Sequence, residues 1–557
     1  LNGGCTYLPR TDGRRCSLRE RLLLTVSRHL EEVIPQSVAD QRPLPDQLRQ
    51  RLWYNVASIA PSEEGYVSVF EQLREFRAWG VDDVLVNHPD DVWHDGDGNA
   101  TLHLDGAPRK GGDDALAEYL DAIGEMGFAY SLPACFVGMS AVHPSWDAQL
   151  AAQLSDGSAA PAGPGQYRLR LDRALELAAK HTRGLVAKYK PTAVYITRHA
   201  SEPPWDFVDY ASTRPGAARL THSWEIQRLI LAEQVAAHDG PTIGDGGMHW
   251  FYPNLLHGHL ARLAGVAPSH QPLLLDLALR RLHVGQANAG VGTPEQFFGD
   301  ELRDGDRGSR TSAFDRVLST TVALGHAGLL PDPASWGLPS TIKTYYMLRQ
   351  LQACYLGVPV KSIRYHHDGN VLDATEAVLS GAYLASQLVI AYENGLTVHV
   401  NGSWDSPWQV AHEQHSLVLP PASFLAVMPG GPCVYSADAG SGRVDVSRCK
   451  EYFYCDTRLQ RLQLGPLTLQ GAALLLQRDW EIDILPVECD GEIAVDVAQL
   501  WPERRLPPLR LLAFPVEGDE PEPVRANSTK GRLVFEPDAA YRRYRITLPE
   551  WMVEPGR

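Results

Sequence analysis

Two stretches of the chain concentrate side chains that could do chemistry. GDGGMHWFY (244–252) sets Asp245 between glycines and follows it with His249, Trp250, Phe251 and Tyr252. VYITRHASEPPWDFVDY (194–210) carries Thr197, His199, Trp205, Asp206 and Asp209 around the break at Pro203-Pro204. Carboxylates can give or take a proton, and aromatic faces can cover an apolar ring surface. Together they are what a protein needs to hold and hydrolyse a sugar. The same letters also have plainer uses: an Asp-Gly turn with a core aromatic run in the first stretch, and helix capping after the prolines for Asp206 and Asp209.

The elements around these stretches follow one grammar. Apolar strand-like runs at 51–59, 81–88, 128–136, 192–200, 241–247 and 272–279 alternate with helical patterns at 66–80, 113–127, 173–189 and 223–238. Strands each followed by a helix make right-handed βαβ units and a parallel sheet covered on both faces. The expected fold class is therefore α/β, a (β/α)8 barrel. The rival is an open doubly wound sheet, but no GxGxxG or GxxxxGK[ST] follows any strand, and no cofactor is implied. A barrel gathers its functional groups at the carboxyl ends of its strands. Those ends supply Asn55; Asn87, His88 and Asp90; Pro133; His199, Trp205, Asp206 and Asp209; Asp245, His249 and Trp250; and Asp276. Asp276 lies inside LLLDLAL, where a lone carboxylate is costly unless it is paired, protonated or used.

Near residue 358 the grammar changes to alternating strands with Asp-Gly and Asn-Gly turns, in SIRYHHDGNVL and LVIAYENGLTVHVNG, a hairpin signal. The expected domains are the barrel at 46–358, a β-sandwich at 359–455 and a second β-rich region at 456–557. Residues 1–45 resolve into no domain. Cys449 and Cys455 could bridge a hairpin and Cys5 and Cys16 a loop, with buried free thiols the alternative for all eight cysteines. DGDGN (95–99) lacks the glycine and glutamate of a calcium loop and reads as a turn, as does YHHDG (365–369). Sequons stand at Asn99, Asn401 and Asn527.

The apolar share of 44% and charged share of 21% are those of a folded globular protein. A net charge of −16 disfavours nucleic acid and anionic membrane as partners, and no apolar run reaches the roughly 18 residues of a membrane span. The chain opens with no signal-peptide pattern. Oligomeric state is not legible.

With these residues in place, the chain resembles bacterial (β/α)8-barrel glycoside hydrolases, distantly those like endo-α-N-acetylgalactosaminidases. The likeness rests on VYITRHASEPPWDFVDY, GPTIGDGGMHWFYPNLLHG, LLLDLALRRLHVGQANAGVG and LVIAYENGLTVHVNGSW, and spans roughly 40–430. It implies a carbohydrate substrate, an extracytoplasmic setting, a β-sandwich before the barrel from which residues 1–45 look like the exit, a nucleophilic carboxylate ending the fourth strand and an acid/base carboxylate ending the fifth. Asp245 stands at the fifth, where Glu is expected. Thr197 stands at the fourth, so Asp206 or Asp209 is expected to serve as Asp245's partner. Asn55, Asn87, His88, His199, Trp205, His249, Trp250 and Asp276 are expected to line the sugar. A sugar-binding pseudoenzyme with the same cleft is the alternative. A metal-dependent hydrolase using His88, His199 and Asp245 is a weaker one, since no HxH pair ends a strand.

Overall fold

The apolar runs of the first half become short parallel strands because both of their faces are covered. The computed structural model describes residues 7–33, 44–93, 104–260, 287–288, 307–502 and 509–547, apart from 61, 63, 413–414, 441, 479, 519 and 530. Eight strands form one sheet: β1 (Leu52–Asn55), β2 (Val84–Asn87), β3 (Ala129–Ala134), β4 (Ala193–Ile196), β5 (Thr242–Asp245), β6 (Gly258–Leu260), β7 (Ala287–Asn288) and β8 (Leu329–Leu330). Their order is β7-β6-β5-β4-β3-β2-β1-β8, and every ladder is parallel. Sequential strands are neighbours and the last lies beside the first, the winding of a (β/α)8 barrel.

Four helices cover the first strands: α1 (Gly65–Ala78), α2 (Gly112–Glu125), α3 (Leu171–Tyr189) and α4 (Leu220–Ala237). Helix α2 shows why they form. Leu116, Tyr119, Leu120 and Ile123 recur at helical spacing and are buried. Asp113 and Asp114 sit in its positive first turn, and Gly127, at φ 84°, takes the left-handed step that ends it. Between β5 and β6 the expected helix is replaced by residues 246–257, whose one regular turn is His249–Phe251.

The registers fix which side chains face inward. Asn55 pairs with Asn87 and Asn87 with Ser131, while Tyr195 lies opposite Ile243, two residues before Asp245. Alternation then puts Asn55, Asn87, Ser131, Tyr195 and Asp245 on the inner face, with Tyr54, His88, Val194 and Ile196 toward the helices. Contacts agree: Tyr54 hydrogen-bonds Gln72 of α1, and Val194 and Ile196 pack among Ala174, Ala178, Ile230 and Leu231 of α3 and α4.

From Val360 onward the strands are antiparallel. The YHHDG segment is a hairpin turn, with Asp368 at φ 48° and Gly369 at φ 79° between paired strands, the geometry of a type I′ turn. Two cores result, one around Trp408, Leu419 and Leu425 and one around Leu467, Leu469, Ile482, Trp501 and Ile546. The strands Phe453–Leu464 and Leu467–Gln477 pair along most of their length, with a bulge between Asp456 and Arg461. The segment that reads as the exit from a sandwich shows no strand among the described residues 7–33.

The molecule divides into two compact units, and the division does not follow the change of grammar at 358. One unit holds β1–β8. The other takes residues 307–323 of helix α5 (Arg307–Leu324), helix α6 (Leu338–Tyr355) and all that follows Pro333. All seven described cysteines are free thiols, so the Cys449–Cys455 bridge does not form; Cys455 is buried in the second core, while the Cys449 thiol meets the Tyr452 carbonyl. Cys5, Asn99 and the DGDGN turn lie outside the described residues. Asn401 is wholly buried, donating to the Ser406 and Leu419 carbonyls, so only unfolding would present its amide for modification. No helix among the described residues is long and apolar enough to cross a membrane.

Candidate active site at the carboxyl ends of the barrel strands

Asp245 is the last residue of β5. The glycines around it ease a tight bend: a Cβ on Gly244 would stand 2.6 Å from Leu256 Cδ1, which would have to shift, and Gly247 turns at φ 129°, where an L side chain is strained, against the Ser201 backbone. The carboxylate accepts from the Tyr195 hydroxyl, one position before the end of the neighbouring strand β4, and from the Arg198 main-chain N–H at 2.8 Å. Arg198 adopts a left-handed backbone, φ 68°, which costs an L-residue about 1–2 kcal/mol. Its side chain helps hold that conformation. Arg198 Nε donates to Glu202 Oε1 at 2.6 Å and Nη2 to the Ala162 carbonyl at 3.0 Å, while Glu202 Oε2 accepts from Arg168 at 2.7 Å.

A second carboxylate lies within electrostatic reach of this group. Asp90 opens the short turn Asp90–Val92 beyond β2, after Pro89. It is mostly buried, and its Oδ1 has no hydrogen-bond partner among the described residues. Burial, then the charge of Asp245, push its pKa up to about 6, against the opposing pull of Arg198; Asp91 adds a smaller push. Asp91 itself is committed to structure, accepting from the Ile59 N–H and meeting Lys110 at 3.5 Å. Behind the pair, burial raises the Cys135 thiol to about 11, so it stays neutral.

The other expected residues fall into distinct groups. Asn87 is buried in a ladder, accepting from Ser131 at 2.7 Å and donating to Asn55 at 2.9 Å, and Asn55 is its partly exposed end. His88 and His199 point away from the mouth and are sealed off. His88 Nδ1–H donates to the Ser131 carbonyl and Nε2 accepts from Tyr119. His199 Nε2 accepts from the Phe136 N–H, which assigns the Nδ1 proton to Gln227. Burial pushes both pKa values down to about 4, so both are neutral core histidines. They reach neither a sugar nor a metal, which corrects the expected role of both. Among the described residues no group of three or more His, Cys, Asp or Glu converges as ligands.

Asp209 is spent on its own loop, paired with Arg214 at 2.5 Å and accepting from the Gln153 and Ala211 N–H groups. Asp206 is exposed on the turn Pro204–Phe207. Neither hydrogen-bonds Asp245. Thr197 is buried, taking the inward place at the fourth strand's end. Trp205 and Trp250 are about half exposed, 50% and 46%, and each packs on Phe251 with centroids 5.9 and 6.4 Å apart. His249 is buried against His259. Asp276 lies outside the described residues. Tyr195, Arg198 and Glu202 are not among the residues expected from sequence, and Asp90 is there only as one of the residues at strand ends. Inward parity was the available signal for Tyr195.

No family model and no curated protein matches the chain. Solved structures do. The α-N-acetylgalactosaminidase of Bifidobacterium bifidum (a quadruple mutant) is 14% identical over 64% of this chain and 56% of its own, with a TM-score of 0.48. A debranching enzyme of Nostoc punctiforme is 11% identical over 69% and 99%, at 0.44. An α-amylase of Malbranchea cinnamomea is 12% identical over 73% and 95%, at 0.41. The chain is distantly similar to barrel glycosidases. It spans little more than half the length of the first of them.

Proposed function

We propose that the protein is a glycoside hydrolase in which Asp90 is the general acid and Asp245 the carboxylate that acts on the sugar or on water. The observation that carries this is the unequal pair at the barrel mouth. Asp90 is largely buried, short of a hydrogen-bond partner and raised to about 6, the setting that keeps a carboxyl protonated until a leaving group needs its proton. Asp245 accepts from Tyr195 and Arg198, the role an anionic carboxylate fills. This reverses the role that position in the barrel suggests for Asp245.

In the reaction, the Asp90 proton passes to the glycosidic oxygen as the bond from the anomeric carbon breaks, and the leaving sugar departs as an alcohol. Asp245 meets the positive charge that builds on the ring, as nucleophile or as base for the attacking water. Tyr195 and the Arg198 N–H hold it in place at no reorganisation cost during the step. Trp205 and Trp250 offer exposed faces for sugar rings, and the Asn55 amide serves a hydroxyl.

A panel of aryl glycosides and oligosaccharides tests the reading. Wild-type protein hydrolyses at least one of them, with a rate that falls as pH rises past about 6. Asp245→Asn abolishes turnover on every substrate. Asp90→Asn loses far more on oligosaccharides than on dinitrophenyl glycosides, whose leaving group needs no proton. Equal losses on both would remove Asp90 from the acid's role. Binding without hydrolysis in the wild type would identify a sugar-binding protein instead, an outcome that Thr197 at the end of the fourth strand favours.

A further inference from the structure

Among the described residues, Arg198 acts on both carboxylates. Its main-chain N–H donates to Asp245, and its positive charge is felt at Asp90. The left-handed backbone makes this possible, because it turns the N–H toward β5 while the side chain runs back to Glu202 and the Ala162 carbonyl. Three anchors secure the arrangement: Glu202, the Arg168 that clamps Glu202 from the other side, and Phe207, whose ring lies 5.0 Å from the Arg168 guanidinium. Strain persists only where the surroundings over-determine it; here they are the N–H bond to Asp245 and the anchored guanidinium.

We propose that Arg198 is the positioning residue of this site: its amide aligns Asp245, and its anchored guanidinium sets the charge against which Asp90 gives up its proton. The proposal rests on the roles given above to Asp90 and Asp245. The charged and titratable groups facing Asp90 are Asp245 from β5, Arg198 from the end of β4, Cys135 from the end of β3 and Asp91 from its own turn. The thiol is neutral, so Arg198 is the cation among them. Glu202 neutralises part of that charge, and its bond to Nε holds the guanidinium in place.

The test separates the amide from the guanidinium. Arg198→Gly keeps the N–H on Asp245, relieves the left-handed strain and deletes the cation together with its bonds to Glu202 and Ala162, and its fold is checked by circular dichroism. Arg198→Lys restores the charge without the fork. The Asp90 carboxyl is followed by carbon-13 NMR across pH, its resonance assigned by its loss in Asp90→Asn. Its midpoint rises by about one pH unit in Arg198→Gly and stays within a few tenths of wild type in Arg198→Lys. The basic limb of the kcat/KM profile moves up with it. A merely structural role would leave both unmoved, and an unchanged midpoint in Arg198→Gly overturns the proposal even if wild type is an active glycosidase. Wild type that hydrolyses no glycoside while the midpoint still moves sinks the enzymatic reading and leaves the hold of Arg198 on Asp90 standing.

Discussion

Two arginines in this molecule do nearly the same thing with opposite results. Arg198 in the barrel and Arg458 in the C-terminal unit both adopt left-handed backbones, at φ 68° and 51°. Both donate a main-chain N–H to an aspartate, Asp245 at 2.8 Å and Asp456 at 2.7 Å. The side chains then differ. Arg458 closes bidentate bonds of 2.7–3.0 Å on both Asp315 and Asp445, and Lys343 reaches Asp445 and Asp456 from helix α6. Burial alone would raise Asp445; Arg458, then Lys343 and Arg443, hold it far below the usual carboxylate range. Arg198 spends its fork on Glu202 and a carbonyl and leaves an oxygen of Asp90 bare. A satisfied buried ion cluster is architecture, and one left a bond short is chemistry.

That contrast can be broken most severely at Asp245. Asp245→Asn lowers kcat/KM by about a thousandfold or more, on the order of 4 kcal/mol, while the Tm stays within a few degrees. The matching change in the other cluster, Asp445→Ala, inverts the pattern. It leaves Arg458 with Asp315 alone and Lys343 with Asp456 alone, a cluster one anion short, and costs about 3–5 kcal/mol of stability in urea unfolding, with activity at 25 °C retained as long as the fold stands. Equal effects of the two on stability would erase the distinction.

The pH dependence of stability sharpens it. Asp90 binds its proton more tightly folded than unfolded, so its contribution is full below about pH 4 and is lost as pH rises toward 6. Asp445 runs the other way: its stabilisation is present above the unfolded carboxylate value and is lost as pH falls below it. His88 and His199, lowered to about 4, also lose stability as pH falls from about 6.5. Asp90→Asn is therefore more stable than wild type at neutral pH, by on the order of 1–3 kcal/mol, and gains more steeply between pH 4.5 and 6.5. A variant no more stable than wild type at pH 7 would show that Asp90 is not under strain. The smallest expected effects are at the platform. Trp205→Ala and Trp250→Ala each raise KM by about 5–20-fold, worth roughly 1–2 kcal/mol, with kcat unchanged.

Much of the barrel was legible because its signals are local. Strand runs, the helical spacing of Leu116, Tyr119, Leu120 and Ile123, and the Gly127 stop all lie within a few residues of what they specify. The Asp-Gly hairpin at 368–369 was legible for the same reason. The site was less so. His88 and Asn87 are neighbours in sequence, and one step of register sends the histidine to Tyr119 and the amide to the barrel interior. What distinguishes Asp90 from Asp91 is Asp245, more than 150 positions away, and Lys110, which takes Asp91 out of play. Asp209 looked available because it lies on the loop beyond the fourth strand, whose end holds Thr197 in place of a carboxylate; Arg214, five residues on, claims it.

The route of the chain through its two units has a consequence for how such a protein could be assembled or taken apart. Helix α5 belongs almost wholly to the C-terminal unit, the chain then returns to lay down β8 beside β1, and only afterwards leaves the barrel. A single cut at either crossing therefore misallots part of the chain. Before α5 it strips the barrel of β8, and after β8 it takes Asp315 away from Arg458. The two units cannot be traded as cassettes by one recombination event, nor expressed apart from one clean boundary. They must be inherited, and made, together.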